Sequence, residues 1–490
     1  MKLRPYQHDL IKEIKHKFKT SGKRVILCAP TGSGKTIVFS SIVVNTLEKS
    51  MFNRVLIVTD RVELCTQTFK TLDTHGTEPE IYNAKTKADD KVNSNCVVAM
   101  VETLKRRYKK DPKKLRSQIG DFNLIIIDEA HKGNFNSIFE IFPESFVIGA
   151  TATPIATSKK NPLKNFYNDI AFTIDVPDLI EQGFLVQAKS LQMKGLYDES
   201  NLKYDYSRGD FTDKSLSEAF SSPKVYEGVT DAWKEHGSGK KTMIFCVNIE
   251  ESIKVADLIP GAYCIHSKTS RQERESQLRQ FHSSKDGVMV NCGILTTGYD
   301  HPPIECIIIN RATTSLPLFL QICGRGSRLS QGKEYFTIID MGGNIERLDL
   351  WEQERDWNKW FFNPPKKGMP KPAPIRECKS CGAMLPAKKI ECNFCGAVIE
   401  IKEKEYAKGE LQEVNPVPNH LKNRYLDDLS VKELYELKEA KGYKLGFICR
   451  VLRKKGATAL LEYQNIAGYS KGWYKHQING STDFNNFKIV

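Results

Sequence analysis

Eight residues, Ala29-Pro30-Thr31-Gly32-Ser33-Gly34-Lys35-Thr36, constrain the fold of this chain more than any other stretch. They follow the apolar run 25–28 and precede Ile37-Val38-Phe39, so they sit between a buried strand and the start of a helix. The spacing is that of a phosphate loop, G-x-x-x-x-G-K-[ST], with Ala29 in place of the leading glycine. In such a loop the N–H groups of Gly32, Ser33 and Gly34 cradle phosphates at a helix N-terminus, where the helix dipole favours negative charge. Side chains at the glycine positions would hold the backbone away from the oxygens. Lys35 is expected to reach the β- and γ-phosphates, and Thr36 to hold Mg²⁺. A strand, this loop and a helix commit the chain to an α/β fold.

Short apolar runs continue the pattern at 55–59, 96–101, 124–127 and 146–149, with helical stretches between them. A second series occupies 242–247, 263–266, 288–291, 306–310 and 335–340. Strands alternating with helices predict βαβ units and buried parallel sheets, here two in tandem. The polar stretch 197–213 between them reads as a hairpin or as an extended insertion. Gly237-Ser238-Gly239-Lys240-Lys241 imitates a phosphate loop but has Lys241 at the Ser/Thr position and precedes its strand, so it reads as a loop. One ATP site for two units implies that the second contributes from across a cleft.

The chemistry expected of the first unit gathers on Asp128-Glu129-Ala130-His131, at the end of the apolar run 124–127. Ligand sites of parallel sheets lie at the carboxyl ends of strands. Asp128 is therefore positioned for Mg²⁺, and Glu129 for orienting or deprotonating the attacking water. Thr151 and Thr153 follow the next strand, where they could relay contacts to the second unit. In that unit Arg325 and Arg328 lie three residues apart, on one face of a helix or turn. Arginine suits a γ-phosphate because its planar fork bonds bidentately and stays charged.

The ordered set LRPYQ, APTGSGKT, VTDRVEL, DEAH, TATP, TTGYD and QICGRGSR resembles superfamily 2 helicases of the DEAH-box-like group. It is similar in pattern to phage branch-migration and XPB-like DNA helicases. The likeness spans about residues 1–345. It implies two RecA-like domains that close on ATP while nucleic acid lies across both. By the same resemblance Gln7 reads the adenine edge with support from Arg4. Pro30, Thr31, Gly32, Ser33, Gly34, Lys35 and Thr36 hold the phosphates, and Asp300 approaches the ribose. Gln321, Arg325 and Arg328 complete the catalytic set with Lys35, Asp128 and Glu129, Arg328 being the arginine finger. His131, Thr151 and Thr153 couple hydrolysis to strand movement. Arg61, Thr103 and Thr296 touch the nucleic-acid backbone, with Asn248 a loose match to a further motif. The implied activity is that of an ATP-dependent DNA helicase or translocase, on forked, branched or single-stranded DNA. An RNA helicase, a motor subunit of a restriction complex, or an ATP-gated recruitment protein are the competing readings.

Residues 363–374 are proline-rich and read as a linker. Then Cys378-x2-Cys381 and Cys392-x2-Cys395, each followed by glycine, match a four-thiolate structural Zn²⁺ site. Too few apolar residues lie there for a self-sufficient core, so metal is expected to supply the folding energy. The other nine cysteines are scattered, several inside apolar runs, as reduced core residues are. After residue 400, Ser430 and Glu433 form a capping box ahead of one helix, and a second spans 445–455. Tyr463, Tyr469, Lys471, Trp473, Tyr474 and Lys475 interleave aromatic and basic character. That pattern fits stacking on nucleic acid, or equally a small helical domain with a solvated basic face. A net charge of +14 agrees with a polyanionic partner. No apolar run approaches the ~18 residues of a membrane span, and the N-terminus lacks a signal core, so an intracellular, cytoplasmic protein is expected. The expected domains are 1–175 and 176–362 (two RecA-like lobes), 375–400 (zinc ribbon) and 401–490 (basic helical domain).

Overall fold

The computed structural model describes residues 3–87, 89–155, 161–207, 209–296, 301–364, 375–399, 419–421, 424–441 and 443–479. The expected linker at 363–374 falls, from 365 onward, outside them. The chain forms two compact units, Met1–Ile401 and Lys402–Val490.

The first unit is built on two parallel sheets. One contains β1 (Arg24–Cys28), β2 (Val55–Thr59), β3 (Glu80–Tyr82), β4 (Cys96–Met100), β5 (Leu124–Asp128), β6 (Phe146–Thr151) and β7 (Asp169–Ala171), in the order β3-β4-β2-β5-β6-β1-β7. Its central strands are covered on both faces, which is why they read as unbroken Val/Ile/Leu runs; Ile125, Ile126 and Ile127 are all buried. The register pairs Asp128 with Ala150 and Cys28 with Thr151. The loops after β1, β5 and β6 therefore leave the sheet at one level, at its carboxyl edge.

β8 (Gln187–Gln192) begins the second sheet. It is followed by a small antiparallel pair, β9 (Tyr204–Asp205) and β10 (Asp210–Phe211), so 197–213 contains a hairpin. Asp210 ties that hairpin to the loop at Thr313-Thr314, accepting from Thr313 Oγ1 at 2.6 Å and Thr314 N at 2.7 Å. The sheet continues with β11 (Thr242–Cys246), β12 (Tyr263–Ile265), β13 (Val288–Asn291), β14 (Cys306–Asn310) and β15 (Tyr335–Asp340), ordered β12-β13-β11-β14-β15-β8 and parallel throughout. The fold is two tandem RecA-like α/β lobes. The phosphate-loop imitation before β11 is a turn. Its Lys241 Nζ caps a helix end instead, donating to the carbonyls of Phe281 at 2.8 Å and His282 at 3.1 Å.

After β15 the chain returns to the first lobe. Arg355 N donates to Asp175 Oδ2 at 3.0 Å, and Lys164 Nζ donates to the Phe362 carbonyl at 2.8 Å. A last antiparallel pair, β16 (Ile375–Glu377) and β17 (Met384–Pro386), then packs beside β8, with Met384 buried in the lobe core.

Among the described residues the second unit has four α-helices, Val431–Lys441, Leu445–Lys455, Ala457–Ala467 and Lys471–Asn479, around its own core. The capping box forms as expected. Ser430 N donates to Glu433 Oε2 at 2.7 Å, and Glu433 N donates to Ser430 Oγ at 3.3 Å. No helix among the described residues is long and apolar enough to cross a membrane.

Candidate active site

The carboxyl edge of the first sheet opens onto a cleft of about 420 Å³. Arg4, Thr31, Gly32, Gly34, Lys35 and Thr36 line it together with Asp128 and Glu129. Phe184 lines it beside Arg4, and Pro302, Arg325 and Arg328 of the second lobe line it as well.

The phosphate loop turns through left-handed glycines, with φ of 88° at Gly32 and 80° at Gly34. A Cβ on Gly32 would stand 3.0 Å from Leu185 Cδ2 and 3.1 Å from Ser327 Oγ, so the loop touches the second lobe where only glycine fits. Helix Lys35–Lys49 starts directly after Gly34 and directs its N-terminal N–H groups at the cleft. Lys35 Nζ folds over the loop, donating to the carbonyls of Ala29 at 3.2 Å and Pro30 at 3.3 Å. Burial pulls its pKa below the ordinary lysine value, against the attraction of Glu129 and Asp128.

Tyr6 and Gln7 brace the loop from behind. Tyr6 OH donates to the Ser33 carbonyl at 2.6 Å and Gln7 Nε2 to the same oxygen at 3.0 Å. Arg4 N in turn donates to Gln7 Oε1 at 2.9 Å. The Arg4 guanidinium lies 4.6 Å from the centroid of the Phe184 ring, and the Tyr6 ring lies 5.3 Å from it. Phe184 belongs to none of the motifs, and nothing in the sequence distinguishes it from any other aromatic between lobes.

At the end of β5, Glu129 adopts φ 53°, an unusual value for a non-glycine residue. Its N–H donates to Asp128 Oδ1 at 3.0 Å. A chain of polar contacts then runs between the lobes. Gln321 Nε2 donates to Glu129 Oε2 at 3.1 Å. His131 Nδ1 lies 3.3 Å from the same oxygen and 3.0 Å from Thr151 Oγ1, which donates to the Thr153 carbonyl at 3.0 Å. Burial, and then the charge of Glu129, push the Asp128 carboxyl upward. Burial would raise Glu129 as well, but His131, Lys35, Lys132 and Arg325 outweigh it and hold that carboxyl low.

The arginine segment packs directly on the phosphate loop. A Cβ on Gly324 would stand 2.6 Å from Thr31 Cβ. Arg325 Nη2 donates to the Thr296 carbonyl at 2.7 Å. Burial lowers the Arg328 pKa to about 10. Lys333 Nζ holds the Arg328 carbonyl at 2.9 Å and the Pro302 carbonyl at 3.0 Å.

Other residues singled out in the sequence lie apart. Arg61 precedes helix Val62–Asp73, and Thr103 is buried in the first turn of Val101–Lys110; neither lines the cleft. Thr296 meets the site through its carbonyl, which accepts from Arg325. Asn248 caps helix Ile249–Leu258, its Oδ1 accepting from Glu251 N at 2.8 Å. Asp300 falls outside the described residues.

Two metals can be tested against the donors present. Thr36 and Asp128 line the same cleft, and a hydroxyl plus a carboxylate is a set that Mg²⁺ accepts while keeping waters. The four thiols Cys378, Cys381, Cys392 and Cys395 have their Sγ atoms all within 4.8 Å of one another. Cys378 and Cys395 Sγ are 3.7 Å apart, and Cys381 and Cys392 Sγ 3.6 Å. Tetrahedral Zn–S bonds of about 2.3 Å would space sulfurs at about 3.8 Å. Each knuckle closes alike, Gly382 N on the Cys378 carbonyl at 2.8 Å and Gly396 N on the Cys392 carbonyl at 2.9 Å. The donors fit zinc.

Two parallel-sheet lobes, with a phosphate loop in one and paired arginines facing it from the other, form the arrangement that the resemblance to superfamily 2 helicases implies. Comparison with known families agrees. The family described as "Type III restriction enzyme, res subunit" matches residues 1–156, and "Helicase conserved C-terminal domain" matches residues 224–330. The chain is 30% identical to the putative ATP-dependent helicase IRC3 of Saccharomyces cerevisiae, over 70% of this chain and 51% of that protein. It is 31% identical to the putative mitochondrial ATP-dependent helicase irc3 of Schizosaccharomyces pombe, over 71% of this chain and 59% of that protein. It thus spans little more than half the length of these relatives. In fold it is similar to a fragment of a putative HsdR subunit of a type I restriction enzyme from Vibrio vulnificus YJ016. There the TM-score is 0.55 at 22% identity, covering 72% of this chain and 66% of that one. Both sheet-bearing lobes are thus matched, the first by a restriction-enzyme res-subunit family and the second by a helicase C-terminal family.

Proposed function

We propose that this chain is an ATP-driven DNA translocase or helicase acting on forked or branched DNA. One observation carries the reading: Gln321, Arg325 and Arg328 of the second lobe meet Lys35, Asp128 and Glu129 of the first at a single cleft. In this reading Lys35 and the N–H groups around Gly34 bind the triphosphate. Thr36 and Asp128 hold Mg²⁺, which neutralises charge on the β- and γ-oxygens when bound. Glu129 orients water toward the γ-phosphate, and Gln321 fixes the direction of its carboxylate. Arg325 and Arg328 stabilise the charge that develops as the phosphoryl group transfers. The buried chain from Glu129 through His131 to Thr151 and Thr153 carries the state of the site away from it, and closure and reopening of the lobes step the strand. Residues 1–175 and 176–362 are the motor lobes, 375–400 a zinc ribbon and 401–490 an accessory domain.

Measuring ATP hydrolysis and strand displacement together on forks, four-way junctions, plain duplexes and RNA hybrids tests the substrate. Forked or branched DNA is expected to stimulate turnover most and to be unwound. Equal or greater stimulation by RNA would overturn the DNA reading, and hydrolysis without displacement or translocation would overturn the motor. The match to a restriction res subunit favours a second reading, a motor subunit of a restriction-type complex. Strand movement that needs an added partner subunit would select it.

The purified chain should contain about one structural zinc. Cys381→Ser is expected to abolish metal content and lower the melting temperature, because the metal supplies folding energy to a module with few apolar residues. A Cys381→Ser protein with full zinc and unchanged melting would remove zinc from the account.

A further inference from the structure

The C-terminal unit sorts its aromatic and basic residues in a way that sequence spacing does not reveal. Tyr463 is wholly buried, Tyr469 and Trp473 stack on each other at 5.0 Å, and Tyr474 packs against the same core. Tyr463 helps hold the helices together, while Tyr469, Trp473 and Tyr474 pack against its core and stay partly exposed. The cations stay outside. Helix Leu445–Lys455 contains no acidic residue. Ile448, Cys449, Val451 and Leu452 form its buried side. Lys444, Phe447, Arg450 and Lys454, spaced by three, three and four, form one exposed stripe. Lys471 and Lys475 are exposed on the last helix, which adjoins this one where Arg453 Nη2 donates to Gln477 Oε1 at 2.8 Å.

Charge is polarised across the unit. From residue 443 to 479 there are seven Lys/Arg and one acidic residue, Glu462. The acidic residues of helix Val431–Lys441 are already engaged. Glu433 pairs with Arg424, Glu436 with His420 and Glu439 with Lys438. Among the described residues, Lys444, Arg450, Lys454, Lys471 and Lys475 have no acidic partner within the unit.

We propose that the stripe Lys444–Phe447–Arg450–Lys454, flanked by Lys471 and Lys475, is a second nucleic-acid-binding surface that grips the phosphate backbone without reading bases. The stripe runs about 15 Å at 1.5 Å per residue. Duplex DNA carries one charge per about 1.7 Å of axis, so several phosphates face it at once. Flexible cations dominate this stripe, with Phe447 the one ring on it, and contacts from cations to phosphate carry no sequence information. This inference does not depend on the nucleotide site.

The test uses the full chain without nucleotide and a fluorescent random-sequence DNA duplex, with binding followed by anisotropy from low to high salt. In a triple variant, Lys444→Gln, Arg450→Gln and Lys454→Gln, affinity at low salt is expected to fall at least tenfold. The slope of log K against log salt should flatten by about 2.7, at about 0.9 per phosphate contact. The loss should be equal across unrelated sequences, and ATP hydrolysis without nucleic acid should be unchanged. The charge-conserving triple, Lys444→Arg, Arg450→Lys and Lys454→Arg, should bind like the parent. If it fails as badly as the glutamine triple, charge is not the cause and the proposal falls. An unchanged slope, as when the stripe serves an acidic protein instead, also overturns it. Lys35→Ala should bind duplex normally here, so loss of the motor reading and loss of this one are told apart.

Discussion

Replacing Lys35 with alanine is expected to abolish nucleic-acid-stimulated ATP hydrolysis. The lysine stem crosses the phosphate loop and its ammonium lies among the Ala29 and Pro30 carbonyls, near the charges of Glu129 and Asp128. Those carbonyls hold the ammonium where phosphate oxygens would compete for it. Alanine leaves the loop backbone, whose shape Gly32 and Gly34 determine, but takes away the charge that meets the β- and γ-oxygens. Removing one donor to developing charge costs about 10²–10³ in rate, and a lysine that also binds ground-state phosphates should cost at least that much. Phosphate release under saturating DNA measures it, with melting temperature as a control for folding. Turnover near the parent rate would mean that this loop is not the hydrolytic site.

The second large effect concerns Arg328. Arg328→Ala should leave nucleotide affinity within a few-fold but reduce turnover by about 10³, the lower end of the range for an arginine delivered from another domain. Lys333 holds the Arg328 carbonyl, so the backbone there should survive loss of the side chain. Arg328→Lys should not restore the rate, because an ammonium lacks the planar fork. Fluorescent-nucleotide binding and single-turnover hydrolysis separate the two quantities. Equal loss of both would assign Arg328 to binding, not to the transition state.

The two α/β lobes were legible because their inner strands are buried on both sides and therefore apolar without interruption. β3, β7 and β8 went unread for other reasons: β3 and β7 are three residues long, and Gln187-Ala188-Lys189-Ser190 of β8 has the polarity of a surface loop. At the cleft, the phosphate loop, Asp128-Glu129 and the arginine pair could be found by spacing. Phe184 could not, since its place beside Arg4 depends on how the segment between lobes folds back. The interleaved rings after residue 460 carried a mixed signal, since Tyr469, Trp473 and Tyr474 stay partly exposed. Spacing cannot tell a tyrosine that faces a core from one that faces solvent, and Tyr463 turned out to be a core residue.

Among the described residues β8 ends the second sheet, and no described strand bonds its outer side. The cysteine hairpin leans on that side, with Gly382 close to Leu191 and the Phe394 ring 5.8 Å from Tyr335. A bare rim of this kind invites a foreign strand. If zinc holds that hairpin, stripping it would therefore do more than loosen a small appendage: it would uncover the flank of the second lobe, and the first symptom would be molecules sticking together while their clefts were still intact.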